Sequence, residues 1–176
     1  MELSIQSVGT ESVHSGKAFL PGDRIWSVLY RSAEGGFVRA DVFEEEREAL
    51  NPDGDILCQW GHRVKPVQTT EADEKRAELQ TAEEVFLSLF ETEEGDKEET
   101  AGEGVKAARV RLKFFLSLQL ERKRILRPLG SGRYRHMPSK REFRVPQLEL
   151  TPELVASHLK EDLGEGPGKE TESSNQ

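Results

Sequence analysis

The chain has 176 residues and a mass of 19.9 kDa, a size that suits one ordinary domain or one domain with tails. Acidic residues outnumber basic ones by 33 to 25, and only 35% of residues are hydrophobic, so part of the chain is expected not to pack. One cysteine excludes an intrachain disulfide framework, and no apolar run approaches the roughly 20 residues of a membrane span. Since the N-terminus also lacks a secretory pattern, we predict a cytoplasmic protein with no membrane association.

The first part of the chain has the pattern of a small antiparallel sheet. Residues 24–31 and 37–43 are rich in β-branched and aromatic side chains and flank a glycine-bearing connection, which predicts a β-hairpin. A short helix is predicted over 44–50, and a proline- and glycine-containing turn should end it. The run 56–64 then predicts a third strand.

Helical spacing dominates the middle of the chain. We predict a polar linker over 65–80, a helix over 82–92 and an acidic flexible loop over 93–104. The strongest helical pattern covers 105–127, and Pro128 is expected to end it. Because this helix is apolar on two sides, it should be buried in the core.

The C-terminal part completes the predicted α+β fold. A strand pair is expected within 130–145, then a helix over 152–163 and a disordered tail over 164–176. The prediction is a small antiparallel sheet packed with a long central helix and two or three shorter helices. Residues 1–92 and 105–163 are expected to form one domain, joined by the loop 93–104.

Charge is strongly segregated along the chain. Residues 105–145 hold 13 basic and 2 acidic side chains, whereas residues 71–104 hold 3 basic and 13 acidic ones. Such a basic segment can bind the phosphates of RNA or DNA, bind an acidic protein, or simply pack against the acidic segments around it. Tyr134 and His136 could add stacking on bases. The candidate binding residues are Arg122, Lys123, Arg124, Arg127, Arg133, Arg135, Lys140 and Arg141.

Residues that bear other chemistry do not converge on a recognisable centre. Cys58 and His62, with His14, are candidates for a metal site or a thiolate pair, but they are fewer than the four ligands usual for zinc. The adjacent glutamates lie in polar segments where solvation is expected, and 130–132 matches no phosphate-binding loop. We therefore predict no catalytic residue, no metal ligand and no cofactor.

Three stretches together resemble an uncharacterised family of small bacterial proteins: SGKAFLPGDRIWSVL at 15–29, WGHRVKP at 60–66 and LSLQLERKR at 116–124. Some relatives carry N-terminal cysteines that suggest a zinc-ribbon-like unit. The comparable place here holds Ser12, Val13, His14 and Ser15, so the resemblance implies a degenerate zinc ribbon without its metal ligands. It implies a fold and a lineage and supplies no activity.

These patterns lead to three functional hypotheses. The first is a non-catalytic cytoplasmic interaction protein with a protein partner. The second is an RNA- or DNA-binding accessory protein that uses the basic segment 105–145. The third and weakest is a small metal-binding domain built on Cys58 and His62.

Overall fold

The structure, a computed structural model, describes residues 8–66, 70–95 and 102–156. Those residues form two small three-stranded antiparallel sheets and two long α-helices. The predicted α+β class is therefore confirmed. None of the helices in this part of the chain is long and apolar enough to cross a membrane.

The N-terminal sheet consists of β1 (Arg24–Ser32), β2 (Phe37–Phe43) and β3 (Gly54–Arg63), in the order β2-β1-β3. The hairpin and the third strand lie where the sequence predicts them. Gly54 begins β3 because of a close approach: a Cβ at this position would lie 2.0 Å from the carbonyl oxygen of Arg31. Only glycine permits that contact without moving the backbone.

Helix side chains cover the outer edge of β3. The Arg109 Nε donates a 2.9 Å hydrogen bond to the carbonyl of Leu57, and the Ser88 hydroxyl donates one of 2.9 Å to the carbonyl of Gln59. These bonds satisfy carbonyls that a further strand would otherwise pair with. A 3₁₀ helix (Glu44–Ala49) follows β2, as the sequence predicts.

Helix α1 spans Glu71–Gly95, so the predicted linker over 65–80 is wrong for its second half. The helix begins after Thr70, whose Oγ1 accepts a 3.3 Å hydrogen bond from the Asp73 amide. Residues 71–78 are mainly exposed and contain no apolar stripe, which is the signal that a periodicity argument needs. Their alanine, glutamate, lysine and arginine residues are nonetheless good helix formers, and the buried second half of α1 holds the whole helix in place.

Helix α2 spans Glu103–Arg122 and ends before the predicted limit of 127. The amide of Arg124 donates to Glu121 O, and the amide of Ile125 donates to Leu120 O. Arg124 itself has a φ of 62°. Together these features form a Schellman motif, with arginine at the left-handed position where glycine is usual. Pro128 is not the terminator, because it already lies in the following strand.

The C-terminal sheet consists of β4 (Leu126–Gly130), β5 (Arg133–His136) and β6 (Glu142–Arg144), in the order β4-β5-β6. The predicted strand pair corresponds to β5 and β6, whereas β4 was not predicted: its first two residues, 126 and 127, were expected to end the central helix. Ser131 and Gly132 connect β4 to β5 with φ values of 53° and 71°. Two consecutive positive φ angles are typical of a type I′ hairpin turn.

Several predicted segments are described only in part. Residues 152–156 are helical, and the Leu154 amide donates to Thr151 Oγ1 at 3.2 Å, the expected N-cap. The rest of the predicted helix to 163 and the predicted tail 164–176 lie outside the described residues. Of the predicted loop 93–104, residues 93–95 belong to α1 and 103–104 to α2, while 96–101 lie outside the described residues.

One hydrophobic cluster connects both sheets to both helices. Phe143 of the C-terminal sheet contacts Phe86 and Phe90 of α1, with ring centroids 5.5 and 4.9 Å apart. Leu112 and Leu116 of α2 are fully buried in the same cluster, as the two-sided apolar pattern predicts. The two sheets are therefore attached to a shared helical core.

Candidate functional site

The outer surface of the C-terminal sheet is covered by arginine side chains. Burial alternates along β5, where Arg133 and Arg135 are exposed. The strand register places Arg127 of β4 opposite Arg135, and Arg144 of β6 opposite Arg133. All four are exposed and share one side of the sheet. We call Arg127, Arg133, Arg135 and Arg144 the arginine face.

The opposite side of this sheet explains why the arginines point outward. Tyr134 and Phe143 are buried in the core, and the His136 ring is 2% exposed. Its Nε2 lies 2.8 Å from Glu83 Oε1 of α1, and its Nδ1 lies 2.7 Å from Ser139 Oγ. Because these contacts fix the inner side, alternation along the strands leaves the arginines in solvent.

The arginine face contains two cross-strand pairs of like charge, Arg127 opposite Arg135 and Arg133 opposite Arg144. Cross-strand neighbours have Cβ atoms about 5 Å apart, and like charges at that distance destabilise a sheet. One acidic residue shares the face: Glu142 pairs with Arg135 at 2.7 Å. Among the residues that the structure describes, Arg127, Arg133 and Arg144 have no ion-pair partner. The face therefore has a net charge of +3.

The other predicted binding residues border this face in sequence. Arg122, Lys123 and Arg124 follow one another at the end of α2 and are exposed. Lys140 and Arg141 lie in the exposed β5–β6 connection. Arg141 contacts the acidic end of α1 through Glu91 at 3.4 Å, and its guanidinium lies 5.1 Å from the Phe143 ring centroid. The binding residues predicted from the sequence do not include Arg144. Its alternation with the apolar Phe143 was the signal that could have placed it on the exposed side of the strand.

Two basic residues of the segment 105–145 are not surface residues. Arg109 is 7% exposed and donates to backbone carbonyls of β3. Lys113 is 3% exposed, and its Nζ lies 4.3 Å from the Phe90 ring centroid. The basic segment therefore contains two buried cations of α2, Arg109 and Lys113, which contact β3 and α1, whereas Lys106 and the cations of the C-terminal sheet and its connections are exposed.

A second polar constellation lies inside the N-terminal sheet. Arg39 and Asp41 of β2 are buried and paired, with Nε 2.9 Å from Oδ1. The Ser27 hydroxyl contacts Asp41 and lies 2.8 Å from His62 Nε2. The Arg39 guanidinium donates 3.0 Å to Ser27 Oγ and lies over the ring of Trp60 at 5.1 Å. We call Ser27, Arg39, Asp41 and His62 the buried polar cluster.

The buried polar cluster does not have the hydrogen-bond order of a nucleophilic triad. Asp41 contacts the Ser27 hydroxyl and the Arg39 guanidinium, whereas a triad carboxylate orients the imidazole. Ser27 is 0% exposed, so a substrate cannot reach its hydroxyl. Asp41 Oδ2 also accepts a 2.8 Å bond from the Gly9 amide, which ties the N-terminal segment to the sheet. The cluster therefore connects three strands and a preceding segment.

Burial sets the protonation of His62. Its pKa lies below the ordinary 6.5, because desolvation disfavours the imidazolium; Glu84 opposes this shift and Arg39 adds to it. His62 is therefore the neutral member of a cluster that already contains a buried cation and a buried anion. The sequence did not show this cluster, because its members come from three different strands.

Cys58, the candidate for a metal ligand or a thiolate, is buried in the core. Cys58 is 0% exposed, and burial raises the pKa of its thiol to about 12. A protonated, inaccessible thiol is neither a nucleophile nor a ready metal ligand. Within the described ranges, no group of three or more His, Cys, Asp or Glu side chains is placed to hold a metal ion.

Ser12 organises the turn where the degenerate zinc ribbon is predicted. Its hydroxyl donates 2.6 Å to Glu46 and accepts hydrogen bonds from the amides of His14 and Ser15. The hydrogen bond from the Ser12 hydroxyl is the largest of the contacts that hold the pKa of Glu46 below its ordinary value, followed by one from the Ser15 side chain. Hydrogen bonds of the Ser12 hydroxyl thus fix the turn at residues 12–15 and connect it to Glu46.

No protein-family model, no curated protein and no solved structure matches this chain. The resemblance to a family of small bacterial proteins stays a prediction.

Proposed function

We propose that this chain is a non-catalytic cytoplasmic interaction protein and that the arginine face is its binding surface. The observation that supports this proposal most strongly is the arrangement of Arg133 opposite Arg144, with no carboxylate paired to either among the described residues. A fold gains nothing from placing two cations opposite each other. An anionic partner that lies across both strands converts that repulsion into two favourable contacts.

The neighbouring row of the sheet supports the same interpretation. There Arg135 pairs with Glu142 at 2.7 Å, so the sheet accommodates an acidic residue opposite an arginine without distortion. An acidic residue at 144 would therefore be compatible with the fold. The presence of arginine at that position favours an external role for the charge.

The two candidate nucleophiles, Cys58 and Ser27, lie where a structural role is favoured. Cys58 and Ser27 are both fully buried, and Ser27 is engaged by Asp41 and Arg39. A nucleophile needs access to its substrate and a base that is oriented toward it. Both residues lack access, although His62 Nε2 lies 2.8 Å from the Ser27 hydroxyl, so their burial supports a binding function over an enzymatic one.

The test compares two variants that each remove two positive charges. R133Q/R144Q changes the arginine face, and K75Q/R76Q changes two exposed residues of α1. Binding of labelled polyglutamate and labelled single-stranded RNA is measured by fluorescence anisotropy at about 50 mM salt. We expect the wild type and the α1 variant to bind at least one polyanion, and the face variant to bind it roughly tenfold more weakly or worse.

Two results would overturn the proposal. One is equal weakening by both variants, which would mean that binding depends on total charge rather than on the arginine face. The other is the absence of binding to either polyanion by the wild type. Thermal unfolding of both variants is recorded in parallel, so that loss of folding is distinguished from loss of binding.

A further inference from the structure

The arginine face also indicates the chemical class of its partner. We infer, on the basis of the proposed function, that the partner is a nucleic acid and that the face contacts its phosphate backbone without reading bases. The composition of the face, the position of its aromatic residues and the spacing of its charges support this inference.

The composition of the arginine face differs from that of a protein–protein interface. Such interfaces have a desolvated core that is depleted in charge and enriched in aromatic anchors. Here the exposed positions of β5 and β6 hold Arg133, Arg135, Glu142 and Arg144, and no large apolar residue lies among them. Nucleic-acid interfaces are more polar and much more positively charged, which is the character of this surface.

The aromatic residues of the sheet are unavailable for stacking. Tyr134 is 8% exposed and His136 is 2% exposed, so the expectation that they stack on bases is wrong. Sequence-tolerant single-strand binding that depends on stacking uses exposed aromatic platforms. Since the cations of this face are guanidinium groups and the aromatic rings of the sheet are buried, its contacts should depend on phosphate charge and not on base identity.

The spacing of the arginines suits a repeating anion. Arg133 and Arg135 are two residues apart on one strand, so they repeat at about 6.6 Å along it. Arg144 and Arg127 extend this arrangement across the neighbouring strands. The planar guanidinium group binds phosphate oxygens through two parallel hydrogen bonds, which makes arginine the better choice for such contacts than lysine.

The rest of the molecule restricts where a polyanion can bind. The whole chain has a formal charge of −8, and α1 is densely acidic from Glu71 onward. A nucleic acid is therefore repelled by the net charge of the chain and by α1, and attracted by the arginine face. The attraction comes from a small number of phosphate contacts and falls as salt is raised, so we expect weak binding that weakens further with salt concentration.

The experiment measures binding of the full chain to four labelled probes across a salt series. The probes are oligouridylate, oligoadenylate, oligothymidylate and polyglutamate of matched charge number. We expect the three nucleic acids to bind with similar affinity, and polyglutamate to bind about tenfold more weakly or worse, because each glutamate side chain must be ordered to reach a guanidinium group, whereas the phosphates are part of the nucleic-acid backbone. In R133Q/R144Q the slope of log affinity against log salt should fall by about 1.4, and in K75Q/R76Q it should stay unchanged.

The outcomes separate this inference from the proposed function. Equal or tighter binding of polyglutamate would overturn the nucleic-acid assignment and favour an acidic protein partner, while the arginine face remained a binding surface. A strong preference for one nucleotide base would overturn the backbone-only contact. An unchanged salt slope in the face variant would overturn the assignment of nucleic-acid binding to this sheet. Binding to none of the four probes would overturn both the inference and the proposed function.

Discussion

The two sheets of this protein use arginine in opposite ways. In the N-terminal sheet, Arg39 is buried and has a carboxylate, a hydroxyl and an indole ring around it. In the C-terminal sheet, Arg133 and Arg144 are exposed and lie opposite each other. A buried charge must be compensated within the fold, whereas an exposed one is stabilised by water. The partners of an arginine, rather than its presence, therefore distinguish a structural role from a binding role.

The largest expected effect breaks the compensation in the N-terminal sheet. D41N removes the carboxylate that pairs with the buried Arg39 guanidinium, so the free energy of unfolding should fall by about 3–5 kcal/mol. R133Q on the arginine face should change it by less than about 0.5 kcal/mol. Urea denaturation of both variants measures the contrast. Similar losses in the two variants would mean that the sheets do not differ as described.

The second effect is a pH dependence that belongs to the N-terminal sheet. The folded protein holds the pKa of His62 below 6.5, so on acidification the unfolded chain binds this proton first. Stability contributed by neutral His62 is therefore present above about pH 6.5 and is lost as the pH falls, by at most about 1.4 kcal/mol per pH unit. Denaturation between pH 7 and 5 should show a shallower loss in H62Q than in the wild type. An identical pH dependence in H62Q would contradict this assignment.

The third effect concerns the basic residues after α2 and tests whether arginine at position 124 lowers the stability of the fold. Arg124 occupies a left-handed backbone position that favours glycine. R124G should raise the free energy of unfolding by about 1 kcal/mol, and it should weaken polyanion binding because it removes a cation. K123G is the control, since Lys123 has a φ of −87° and gains nothing from glycine. Destabilisation by R124G would contradict the Schellman assignment.

The smallest effect changes the sign of one cross-strand pair. R144E places a carboxylate opposite Arg133, in the same relation that Glu142 has to Arg135. The repulsion becomes attraction, so the free energy of unfolding should rise by about 0.2–1 kcal/mol while polyanion binding is lost. Thermal unfolding and anisotropy on the same sample measure both changes. A variant that is less stable yet binds normally would show that the arginine pair serves the fold.

Local signals were sufficient to predict much of the fold. The β1–β2 hairpin was predictable, because alternation and a glycine-bearing turn lie within 20 consecutive residues. The end of α2 was not predictable, because Arg124 replaces the glycine that usually marks such a terminus. The first turns of α1 were missed for a different reason, since their exposed polar residues leave no periodic apolar pattern.

The candidate site was predictable as a list of charges but not as a surface. The sequence located the basic segment, yet it could not separate buried Arg109 and Lys113 from the exposed arginines. That separation depends on how α2 packs against β3 and α1. The opposition of Arg133 and Arg144 depends on strand register, which the sequence pattern leaves open when a hairpin is short and charged.

The most direct test of the central claim is a map of backbone amide chemical shifts in ¹⁵N-labelled full-length protein during titration with oligouridylate. The two sheets give separate sets of signals, so one experiment compares them. We predict that shifts concentrate in β4, β5 and β6 and in the residues between α2 and β4, and that they disappear when salt is raised. Shifts that concentrate in β1, β2 and β3, or that spread evenly over both sheets, would contradict the claim that the arginine face is the binding surface.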